Sequence, residues 1–286
     1  MANLKDIRDQ IKSVKSIQKV TKAMKMVAAA KMRRAQDNME KARPYASKLF
    51  EIINNLKSDI ISLNLPLTEI REVKRIAFVV ITSDKGLAGS FNSSVLKKAQ
   101  QEIDALDNID VDVFCIGKKS SDFFKARNYN VILNESEFWN HLDFSTATTI
   151  SKNITDHFLN KKVDQIRVIF NEFVNVATQK VIVKTLLPLE FEEDPELLQN
   201  TDLLYEPSKE EIIDHLTPKH VKVQVWRFLL ESFASEQAAR MVAMENATSN
   251  SEEMIKDLTL KFNKARQAAI TTEMLEIVGG AEALKG

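Results

Sequence analysis

The sequence predicts an α/β protein in which two long terminal helices flank a central block of alternating strands and helices. Three observations predict it. Glycine occurs only at Gly86, Gly89, Gly117, Gly279, Gly280 and Gly286, which leaves residues 1–85 and 118–278 free of it. Both ends carry apolar residues every three or four positions, the spacing of one helix face. Between them, short apolar runs ended by turn residues alternate with helix-length stretches, the pattern of a sheet with crossover helices.

The N-terminal stripe runs through Leu4, Ile7, Ile11, Val14, Ile17, Thr21, Met24, Ala28, Met32, Ala35, Met39 and Ala42. Its steps alternate between three and four, with a three-residue stammer at Ile17, and lysines fill the opposite face. A repeat near 3.5 predicts a narrow coiled-coil seam with left-handed supercoiling. Pro44 predicts a kink or local break, and a second amphipathic stretch covers 49–63. Helix to residue 60 would span about 90 Å.

The central strands are expected at 75–81, 111–116, 130–133, 165–170 and 180–187, with helices at 95–106, 121–127 and 146–159. That order suggests a largely parallel, Rossmann-like sheet over a domain of 74–188. An acidic, proline-punctuated linker is expected over 189–207. Ser208 and Glu211 form a capping-box signature for a short helix ending near Pro218. From there Trp226, Leu230, Phe233, Gln237, Met241, Met244, Thr248, Ser251, Ile255, Leu258, Phe262, Ala265, Ala269 and Thr272 keep three/four spacing to a C-cap at Gly279 and Gly280.

Composition narrows the function. Hydrophobic content of 44% and charged content of 28% fit a folded chain rather than a disordered one. Net charge is zero, yet residues 1–48 hold 13 Lys/Arg against 4 Asp/Glu, whereas 190–215 hold 10 Asp/Glu against one lysine. Such asymmetry suits surfaces that meet charged partners. The single cysteine, Cys115, lies in an apolar strand run, so no disulfide closes within the chain. No stretch reaches the roughly 18 apolar residues of a membrane span, and the start lacks a signal-peptide apolar region.

Candidate chemistry is sparse. The loop 83–92 carries G-x-x-G, neither the dinucleotide fingerprint nor the phosphate-binding loop, so a structural or docking loop is the better reading. His141, His157, His215 and His220 lack metal-ligand spacing, and the last two are expected to be solvated. No aromatic lies in residues 1–44, so no stacking platform for nucleic acid exists there. A nucleotide-binding enzyme with a helical arm and a self-pairing coiled-coil scaffold remain alternatives to a mechanical part.

Longer motifs carry a resemblance. Residues 17–32 (Ile-Gln-Lys-Val-Thr-Lys-Ala-Met-Lys-Met-Val-Ala-Ala-Ala-Lys-Met), 235–244 (Ser-Glu-Gln-Ala-Ala-Arg-Met-Val-Ala-Met), 263–271 (Asn-Lys-Ala-Arg-Gln-Ala-Ala-Ile-Thr) and 276–280 (Glu-Ile-Val-Gly-Gly) closely resemble the γ-subunit family of F-type ATP synthases. The loop 83–87, Ser-Asp-Lys-Gly-Leu, resembles that family's loop motif. The resemblance covers the whole chain in order.

It implies a long antiparallel coiled coil of the N- and C-terminal helices plus a central Rossmann-like α/β domain. It implies a non-catalytic rotor shaft, one copy per complex, inside a hexamer of α and β subunits. The foot would lie against the ε subunit and the membrane c-ring. Proton flow would turn the shaft, without any cofactor or metal and without nucleic acid. By motif position, Met24, Lys85, Arg240, Arg266, Gln267 and Thr271 would be contact or coupling residues. The resemblance also implies a peripheral place on the cytoplasmic side of a bacterial inner membrane. Ala88 stands where the family loop commonly has cysteine, and the cysteine-bearing regulatory insert of chloroplast relatives is missing, so thiol-based switching is not expected.

Overall fold

The computed structural model describes residues 4–56, 59–60, 63, 65–189, 205–206 and 208–283, with residues 282 and 283 described by their backbone alone. The chain divides into two compact units, one built from residues up to Ala28 with those from Met241 on, the other from Ala29–Arg240.

In the larger unit the elements are β1 (Arg75–Ile81), α2 (Phe91–Asp104), β2 (Asp110–Ile116), α3 (Lys118–Lys125), β3 (Asn130–Glu135), a 3-10 turn (Trp139–His141), α4 (Phe144–Leu159), β4 (Gln165–Phe173) and β5 (Gln179–Leu187). They lie between the long helices α1 (Leu4–Asn55) and α5 (Lys209–Ala283). The sheet order is β3-β2-β1-β4-β5. The first four strands run parallel, with Ile76 opposite Val111 and Gln165, and β5 returns antiparallel with Asn171 opposite Val181.

The unbroken apolar run of β1 has a direct cause: both faces of the strand are covered. Ile76, Phe78 and Val80 pack with Val95, Ala99 and Ile103 of α2 and Phe124 of α3. Ala77, Val79 and Ile81 pack with Ile150, Ile154 and Phe158 of α4 and with Val221, Val225, Phe228 and Leu229 of α5. Each large side chain so buried contributes about 1.5–3 kcal/mol. Part of the C-terminal helix is therefore a core layer of this domain, with Val221, Val225, Phe228 and Leu229 on its packed face.

Local expectations about helix breaks and ends are corrected. No break occurs near Pro218, which lies inside α5. Ile213, Thr217 and Val221 on either side are buried, and Thr217 Oγ1 donates to the Ile213 carbonyl at 2.7 Å, so packing holds the helix through the lost backbone bond. The local break allowed for at Pro44 does not occur either: it lies inside α1, followed by the buried Leu49 and Ile53. Gly279 and Gly280 do not end α5. Neither takes a positive φ, and the neighbouring Ala281 and Ala283 are the strongest helix formers.

Ser208 does cap α5, its Oγ accepting from the Glu211 N–H at 3.2 Å. His220 is buried rather than solvated. Its ring stacks on Phe50 at 6.3 Å and meets the Gln224 amide at 2.6 Å. Burial, with Lys184 nearby, pushes its pKa down to about 4. His215 is exposed. Apart from Leu189, Tyr205 and Glu206, the linker expected over 189–207 lies outside the described residues, as does its acidic cluster at 190–194.

In the smaller unit the two helices pair antiparallel, because partners rise on one as they fall on the other. Arg8 lies over the Phe262 ring, Gln18 Nε2 donates to Glu252, Thr21 meets Thr248 and Lys25 pairs with Glu245. Ile7, Thr21 and Ala28 are buried on one side, Met244 and Ser251 on the other. The stammer is absent. Ile17 is 51% exposed and Gln18 takes its place in the seam, since steps from Val14 to Gln18 to Thr21 keep the 3.5-residue average that a supercoil demands.

Candidate partner-contact sites

The loop after β1 is built as a rigid projection. At its root Ser83 N donates to Asn92 Oδ1 at 3.0 Å, and Ser83 Oγ donates to the Lys85 carbonyl at 2.7 Å. Asp84 accepts from the Lys118 N–H at 2.8 Å and from the Glu137 N–H at 2.7 Å, tying the loop to its neighbours. Beyond it, Leu87 stands 67% exposed with φ 63, and Gly89 follows with φ 56. A large apolar side chain held outward in a left-handed backbone state is a costly arrangement for water alone.

Arg240 of α5 reaches this loop. Its Nη2 donates to the Gly86 carbonyl at 3.1 Å and lies 3.4 Å from the Lys85 carbonyl, while Nη1 pairs with Glu236 at 2.6 Å. Both side chains of that pair are nearly buried. Burial raises the Glu236 carboxyl above its ordinary value, opposed by Arg240 and assisted by Asp84. The structure thus brings Lys85 and Arg240 together, which sequence spacing could not show.

The same geometry closes the place where an open α/β sheet receives ligands. Strand order reverses between β1 and β4, and such crevices bind nucleotides at the strands' carboxyl ends. Here α5 lies against that end: Ser235 Oγ donates to the Asn171 carbonyl at 3.2 Å, and Asn171 Nδ2 donates to the Phe91 carbonyl at 3.3 Å. The first amides of α3 are engaged too. Lys118, Lys119 and Ser120 donate to Asp84, the Ser83 carbonyl and Thr82 Oγ1. The Cys115 thiol is buried, and burial pushes its pKa up to about 11, so it is an unreactive core group.

A second site is the end of α5. Every residue from Arg266 to Ala281 is exposed, including Ile270, Met274, Leu275, Ile277 and Val278 at 49–68%. Arg266, Gln267 and Thr271 sit at its start, with Thr271 Oγ1 donating to the Gln267 carbonyl at 2.9 Å. An apolar helix end without a partner among the described residues marks an interaction surface. Met24 lies half-buried in the helix seam. Reading the sequence placed Leu87, Asp84 and Glu236 in motifs but gave none of them a role. The one signal for Leu87 is a bulky apolar residue between glycines at 86 and 89.

Known proteins share this architecture. A family model described as ATP synthase matches residues 3–284. The chain is 46% identical to an ATP synthase gamma chain of Chloroherpeton thalassium over 302 residues, covering 100% of this chain and 99% of that one. It is likewise 46% identical to the ATP synthase gamma chain of Flavobacterium psychrophilum, covering 100% of both. Among solved structures it is similar to a chain of the central stalk and c-ring of Tetrahymena thermophila mitochondrial ATP synthase. That likeness has a TM-score of 0.58 and 27% identity, over 80% of this chain and 99% of the other. A chain of Euglena gracilis mitochondrial ATP synthase shares the fold, with a TM-score of 0.69 at 19% identity over 98% of this chain and 94% of that one.

Proposed function

The chain belongs to the ATP synthase gamma-chain family, and from that premise we propose that it is the central rotor shaft of a proton-translocating F-type ATP synthase. It transmits torque between the membrane c-ring and the catalytic sites of the β subunits, and it thereby regulates ATPase activity and proton flow. It performs no chemistry of its own. Segments 1–60 and 208–286 act as shaft, and 74–188 as the domain at its foot beside ε and the c-ring. One copy serves each complex, peripheral on the cytoplasmic side of a bacterial inner membrane. No helix among the described residues is long and apolar enough to cross a membrane.

The observation that carries this reading is the end of α5. Sixteen consecutive exposed residues with an apolar stripe need a surrounding sleeve, and Arg266, Gln267 and Thr271 stand where the β subunits would grip it. Met24, Lys85 and Arg240 are the proposed coupling residues further along.

Native mass spectrometry of the chain co-expressed with its α and β partners, with ATPase activity on the same sample, tests this. One copy per three α and three β, with activity dependent on this chain, is expected. A stable homodimer indifferent to α and β would instead establish a scaffold, and ATP or NAD bound by the isolated chain would favour an enzyme.

A further inference from the structure

We propose that Arg240 is a positioning residue whose guanidinium fixes the projecting loop 85–89, and with it the side chain of Leu87, to helix α5. Three observations converge. The loop's outer half holds two left-handed residues, Leu87 and Gly89, and such a conformation persists only where surroundings over-determine it. The root is secured at Ser83 and Asp84 by Asn92, Lys118 and Glu137. Past the root, where Ser83 Oγ also holds the Lys85 carbonyl, Arg240 donates from α5 to the Gly86 carbonyl.

The anchor is itself fixed. The Arg240 side chain is 11% exposed and its partner Glu236 6%, one turn apart on the same helix. A planar fork with one nitrogen on a carboxylate and another on a carbonyl is a geometry that lysine, a point donor, cannot reproduce. Asp84 lies close enough to act on Glu236, so the guanidinium sits among negative charge and has no reason to leave. No added atom would clash at Gly86, whereas Ala88 is buried at 2% exposure, so packing holds the loop at Ala88 and the Arg240 contact holds it at Gly86. Helix and loop therefore move as one body. That the loop meets a partner rests on the shaft reading, whereas its attachment to α5 does not.

The test is a nitroxide label on Leu87→Cys in the full-length chain, with a control label on Lys97→Cys, an exposed position of α2. Cys115 is buried and takes no label. Arg240→Met is expected to narrow the spectrum at position 87 and leave position 97 unchanged, with Arg240→Lys restoring only part of the order. An unchanged spectrum at 87, or equal mobilisation at both positions, overturns the proposal. Should Arg240→Met not fold, Glu236→Gln, which frees the guanidinium while keeping an acceptor, is read by the same criteria.

Discussion

Two single residues set sharp tests of the domain core. Gly117 combines φ 99 with a close approach to Thr82, whose carbonyl an added Cβ would overlap. Gly117→Ala is expected to cost more than about 2 kcal/mol in urea unfolding, and an unchanged midpoint would refute this account of the glycine. His220 is buried with its pKa down at about 4 against an ordinary 6.5. Below pH 6.5 the unfolded chain therefore takes the proton more readily, and stability falls as pH drops towards 4, by at most about 3 kcal/mol. His220→Gln should flatten the stability profile across that window, and a profile parallel to the parent's would contradict it. Glu231 and Glu236 act in the opposite sense. Burial raises both carboxyls above 4.5, so they favour folding at acid pH and lose that contribution as pH rises through their folded values.

At the scale of elements, the helix pair in the smaller unit is thin and polar at its centre. Thr21 and Thr248 meet at 2.8 Å, and each hydroxyl also has a carbonyl of its own helix, Gln18 and Met244, within reach. Polar seam groups weaken a coiled coil but specify register. Thr21→Val and Thr248→Val are each expected to destabilise, whereas the double variant should recover much of the loss. The coupling read from the double-mutant cycle should be about 1 kcal/mol. Strict additivity would show that the hydroxyls do not act together. The three/four spacing located most of this seam in advance. It failed at Ile17 because apolar character was given precedence over phase: the helix repeat, not hydrophobicity, decides which side chain faces the partner.

At the scale of the whole molecule, the proposed function rests on surfaces that make few contacts among the described residues. Arg266 and Gln267 are exposed, so replacing both with alanine should leave folding unchanged, within about 0.5 kcal/mol. ATP synthesis by the assembled complex should fall several-fold. Unimpaired synthesis would remove the grip assignment, and a collapse of stability would move it to a structural role. The candidate contact residues were legible only through extended motifs, because an exposed arginine or glutamine has no periodicity or burial to betray it.

The sequence by itself determined the strand and helix order, the helix pairing stripe and the buried character of Cys115, since each follows from local periodicity and from how many faces of an element must be covered. Only the tertiary structure decided that residues 221–229 form a layer of the domain core. It alone decided that the helix passes Pro218 and that Arg240 closes on a loop 154 positions away at Gly86. These depend on contacts between distant segments, where packing outweighs the local preference of a proline and where a charged side chain finds its partner only once the sheet has brought both ends of the contact together.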